Sequence, residues 1–85
     1  MREEIENVIK EAGFVEEKKF YNRAPGRLLS VFEDETHYIE LFKEENHFAC
    51  VYGPGFMNGP APKRFDFLEP NDIEKFKSEL ITKNQ

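Results

Sequence analysis

The chain has no tryptophan and a single cysteine, and none of its apolar runs approaches the length of a bilayer span. Each shortage excludes something. One cysteine cannot close an internal disulfide, and without a second thiol or a His/Cys spacing there is no zinc motif. Cys50 falls in an apolar alternating run, where a buried free thiol is the expected state. Transmembrane helices are excluded by length, and the opening Met-Arg-Glu-Glu-Ile-Glu is acidic where a secretory signal would be basic and then apolar. A cytoplasmic protein without membrane contact is expected. Basic charge is also scarce: 12 lysines and arginines face 17 acids, a formal charge of −5. The electrostatics therefore oppose general affinity for nucleic acid.

What is present is enough for one folded domain of 85 residues. Hydrophobic residues make up 39% of the chain, with nine phenylalanines, and 34% is charged, which excludes a disordered composition and leaves room for one modest core. Charge is unevenly spread. Six acids occupy residues 1–17 and six more residues 33–45, whereas residues 18–32 contain none and carry Lys18, Lys19, Arg23 and Arg27. With Lys63 and Arg64 these could form a local anion-binding patch, with Tyr21 available for stacking. The simpler reading is a hairpin edge guarded by lysines.

Ile5, Val8, Ile9 and Ala12 recur at helical spacing, so residues 2–12 are predicted to form an amphipathic helix stopped by Gly13, with Phe14 packing back on its last turn. Pro70 and Asn71 open a second helix, with Asn71 and Glu74 at capping-box spacing and Ile73, Phe76, Leu80 and Ile81 as its buried stripe. Between them lie β-prone runs at 17–22, 27–33, 36–43, 47–52 and 63–68, separated by turn-forming clusters. The predicted fold is α+β, a two-layer sandwich in which an antiparallel meander of four to five strands carries both helices on one face.

Side-chain alternation sharpens the hairpin of residues 36–52. An even-numbered loop places His37, Ile39 and Leu41 on the same face as Phe48, Cys50 and Tyr52, which is taken as the core. The opposite face then shows Tyr38, Glu40, Phe42, His47, Ala49 and Val51, more apolar than a solvated face requires. Such a face is either an interaction surface or covered by a loop or terminus. The same parity puts His37 and His47 on opposite faces, so no shared metal is expected. A small enzyme around His37 and Cys50 is a third reading, opposed by the core position of the thiol.

The segment Gly53-Pro-Gly-Phe-Met-Asn-Gly-Pro-Ala-Pro62 fits neither periodicity and is expected to form a shaped loop outside the sheet. Its glycines are weak grounds for a phosphate cradle, because Pro54, Pro60 and Pro62 remove amide donors and no Lys-Ser or Lys-Thr follows. Phe56 and Met57 are instead candidates for a partner contact, together with Tyr38, Phe42 and Val51. The expectation is a non-enzymatic binding or regulatory domain without cofactor or metal, engaging another protein or a second copy of itself.

Overall fold

A computed structural model describes residues 1–17, 27–55 and 59–82. The expected strand at 17–22, apart from Glu17, and the candidate residues Lys18, Lys19, Arg23, Phe56 and Met57 lie outside the described residues. The chain order is α1 (Arg2–Glu11), β1 (Val15–Glu16), β2 (Leu28–Glu33), β3 (His37–Lys43), β4 (Phe48–Pro54), β5 (Lys63–Phe67) and α2 (Pro70–Thr82). All five strands join one antiparallel sheet in the order β1-β2-β3-β4-β5. Both helices lie on one face of it. No helix among the described residues is long and apolar enough to cross a membrane.

The ends of α1 follow from its sequence. Gly13 adopts φ 95°, a conformation that costs glycine little, and the amides of Gly13 and Phe14 turn back to the carbonyls of Lys10 and Ile9 at 3.0 and 3.3 Å. These paired bonds are the Schellman arrangement, and they deliver Phe14, 3% exposed, to the core. The start of α2 corrects the expected capping box. Asp72, not Asn71 with Glu74, caps the helix: its carboxylate accepts the backbone amides of Leu68 and Glu69, each at 2.9 Å. These bonds hold the Asp72 carboxyl below its ordinary range. Pro70 sits in the first turn, where its missing amide costs nothing.

The core lies between the helices and the inner sheet face. Ile5 and Ile9 of α1 and Ile73, Phe76 and Leu80 of α2 pack on Phe32, Ile39, Leu41, Cys50, Tyr52 and Phe67. The register of β3 on β4 pairs Ile39 with Tyr52 and Leu41 with Cys50, so the inner set is the one the hairpin parity requires. Lys43 pairs with Phe48, leaving the four residues 44–47 as an even-numbered loop. A bulge at Leu29 turns Leu28 outward while Leu29 packs on the core. Phe76 meets the rings of Phe65 and Phe67 at centroid distances of 5.2 and 5.3 Å, which ties α2 to β5. Ile81 departs from the expected stripe and is 51% exposed, one residue beyond the last inward position of α2.

A second correction concerns the Gly/Pro segment. Its first two residues do join the sheet: Gly53 pairs with Tyr38 and Pro54 with His37, extending β4 two residues past the expected end. The last pair between β4 and β5 is Tyr52 with Lys63. Beyond it β4 has one neighbour, so a proline can turn its amide-free nitrogen to the open side.

Candidate interaction face

Strand register builds the outer face in three rows. In the first, Val15, Glu33, Tyr38 and Gly53 follow one another from β1 to β4. The second row is Val31, Glu40, Val51 and Arg64, and the third is Leu28, Phe42, Ala49 and Asp66. Tyr38, Phe42 and Val51 thus share the outer surface, one from each row. All three are half-buried, while Val15 on the edge strand is 69% exposed. Ala49 is fully buried there, and Val31 is 5% exposed. Neither belongs to the inner core cluster. Among the described residues, no helix covers this face.

Part of the Gly/Pro segment leans on it. A Cβ at Gly53 would lie 3.1 Å from both the Tyr38 hydroxyl and Pro62 Cβ, so Pro62 and Tyr38 meet over a position that has no side chain. Gly55 is fastened to the neighbouring turn through a 2.8 Å hydrogen bond from its amide to the Thr36 carbonyl. That turn is itself organised by Asp34, whose carboxylate accepts the amides of Thr36 and His37 at 2.9 and 2.8 Å. The Tyr38 hydroxyl is pushed above its ordinary pKa by burial first and then by the charge of Glu40. It stays a neutral hydroxyl at physiological pH, able to donate and accept.

Charges gather at the end of the outer face near Phe42. Arg27 and Glu44 form an ion pair at 2.9 Å, Arg64 lies 3.6 Å from Glu44 and 2.9 Å from Asp66 Oδ1, and His47 Nε2 is 2.9 Å from the same Asp66 oxygen. The Arg64 hydrogen bond, and after it that of His47, draws the Asp66 carboxyl below its ordinary pKa. These contacts link the start of β2, the loop 44–47 and β5.

The described members of the candidate anion patch are therefore divided. Arg27 and Arg64 share Glu44, whereas Lys63 points to the helix side and pairs with Glu79 of α2. His37 and Cys50 share the inner face but are not brought together. His37 pairs with Pro54, and Cys50 with Leu41, four residues further along β3, a separation of roughly 13 Å at strand spacing. His37 stacks on Tyr52 with centroids 5.1 Å apart, and Tyr52 is pushed up to about 12, chiefly by burial. Cys50 is fully buried, and burial pushes its thiol far above the ordinary range. A thiolate is not available there at neutral pH.

Leu28 and Val15 belong to the outer face and were absent from the candidate residues drawn from sequence. Parity within β2 could not reveal Leu28, because the bulge shifts its register. Val15 carries no signal beyond its place just after the helix stop. No protein-family model matches the chain, and no curated protein or solved structure matches it.

Proposed function

We propose that the chain is a non-enzymatic binding or regulatory domain that engages another protein through its outer sheet face, with Tyr38, Phe42 and Val51 as the principal contacts. The observation that carries this reading is an apolar set spread over three adjacent rows on the side of the sheet opposite both helices. Tyr38, Phe42 and Val51 each keep part of their surface accessible on a side that no described helix covers, and accessible apolar residues grouped on one face mark an interaction surface more often than scattered ones do. Tyr38 and Phe42 flank Glu40 on the central strand, and the Arg27, Glu44, Arg64 and Asp66 chain forms one border, so the face combines aromatic anchors with charge as protein contacts do. Phe56 and Met57, outside the described residues, are proposed as further contacts on the grounds of sequence alone.

Site-specific crosslinking tests it. A photoreactive residue at Val51 should give a discrete protein adduct in native lysate, and the same residue at Glu74, exposed on α2, should not. Adding Phe42→Ala should weaken capture by about tenfold, as loss of an interface anchor does, while leaving the circular dichroism spectrum unchanged. Equal labelling from both sites, or none from Val51, would remove the proposal.

A further inference from the structure

Strand β5 is the last in the sheet, and among the described residues it pairs with β4 on one side and with no strand on the other. Its unpaired side presents a row of alternate N–H and C=O groups, a template for another strand. The residues around it, Pro62-Lys-Arg-Phe-Asp-Phe-Leu68, are arranged so that one antiparallel register of this strand against itself is complementary at its central positions.

The argument is one of parity. Two identical strands related by a two-fold axis must pair each residue with one on the same face, so the axis passes through a residue position. Centred on Arg64, the register sets two arginines opposite each other, and centred on Asp66 it opposes two carboxylates. Centred on Phe65, it sets Arg64 opposite Asp66 of the second copy, twice, on the outer face. The same register places Phe65 against Phe65 on the helix side, Lys63 against Phe67, and Pro62 against Leu68 at the ends of the ladder. The outer pairs are then acid with base and the central pair apolar with apolar, while Lys63 keeps its own Glu79 and Phe67 stays in its own core.

Two observations support this register. Phe65 is half-buried, with one side of its ring on Phe76, and its equivalent would pack beside it. Leu68 is 69% exposed at the strand's end, and Pro62 opposite it needs no amide there.

We infer that β5 is a self-pairing edge, through which two copies of the chain join their sheets antiparallel about Phe65. This edge adjoins the outer face proposed above and shares its border residues Arg64 and Asp66, but not Tyr38, Phe42 or Val51. Arg64 would then lie between its own Asp66 and that of the second copy, and the contact, one short strand per copy, is a small and reversible one.

Sedimentation velocity on the full chain, from about 1 μM to about 1 mM, should show a reversible dimer in the range where such small contacts associate. Arg64→Glu or Asp66→Arg each converts two attractive pairs into two repulsive ones and should raise the dimer Kd at least about tenfold. The double exchange Arg64→Asp with Asp66→Arg restores opposite charges in the same register and should recover most of the affinity. Hydrogen exchange on the unaltered protein gives an independent reading, since amides of residues 63–67 should gain protection with concentration. A monomer at every concentration, a dimer indifferent to Arg64→Glu, a folded double exchange no better than either single change, or protection gained elsewhere would each overturn the inference. Phe42→Ala should leave the dimer intact, which separates this contact from the outer-face one.

Discussion

Phe76→Ala should lower the unfolding free energy by about 3–5 kcal/mol, the usual cost of emptying a buried aromatic site. Phe76 is fully buried and is the α2 residue whose ring meets both Phe65 and Phe67. Neither neighbour can close the gap easily. Both are held by strand register, Phe65 opposite Cys50 and Phe67 opposite Phe48, and α2 is fixed at its start by Asp72. A domain of this size has about 5–15 kcal/mol in total, so the change removes a large share of it. Urea unfolding followed by circular dichroism measures it directly. Ile81→Ala, one turn on and half exposed, should change the midpoint little, and a comparable loss there would mean that the packing of α2 is misread.

Gly53→Val should destabilise the fold by about 1–3 kcal/mol, the range for overpacking, even though valine is otherwise the better strand residue. The first added carbon would stand 3.1 Å from the Tyr38 hydroxyl and Pro62 Cβ and 3.2 Å from Pro62 Cγ. Two further methyl carbons add bulk at a position already flanked by Tyr38, directly opposite in β3, and by Pro62, just before β5. Relief requires Pro62 to lift from the outer face. At roughly 4–8 °C per kcal/mol for a domain of 60–100 residues, the thermal midpoint should fall measurably. Gly53→Ala should show a smaller shift in the same direction. A midpoint raised by valine would show that strand propensity outweighs the contact.

How much of this was legible in the sequence depends on the kind of signal each residue carries. Period-2 alternation settled the inner and outer faces of the β3–β4 hairpin, because a single-residue slip would have placed Ile39 and Leu41 in water. Helical spacing found α1, and the glycine at its end marked the stop. The cap of α2 was less readable: Asn71 with Glu74 and a carboxylate at Asp72 are both plausible helix starts, and the choice depends on which amides the chain leaves open. Gly53 and Pro54 looked like loop residues because composition reports propensity, not neighbours. Their place in β4 follows from β3 being long enough to pair with them. The outer face was read correctly for Tyr38, Phe42 and Val51, whereas Leu28 required knowledge of a bulge that only the register reveals. Division of the basic residues between Glu44 and Glu79 was likewise a matter of three-dimensional pairing.

The strict agreement of strand order with chain order has a kinetic consequence. Each ladder from β1 to β5 joins strands adjacent in sequence and can form by closing one connection at a time, the inexpensive kind of chain closure. The two helices come from opposite ends of the chain and must bury their stripes against strands already in place. Late docking of the terminal helices implies that Phe76→Ala should act mainly by accelerating unfolding, whereas a change within the central hairpin, such as Leu41→Ala, should mainly slow folding. The two arms of a chevron plot would separate these effects, and the reverse assignment would indicate that the helices dock before the meander is complete.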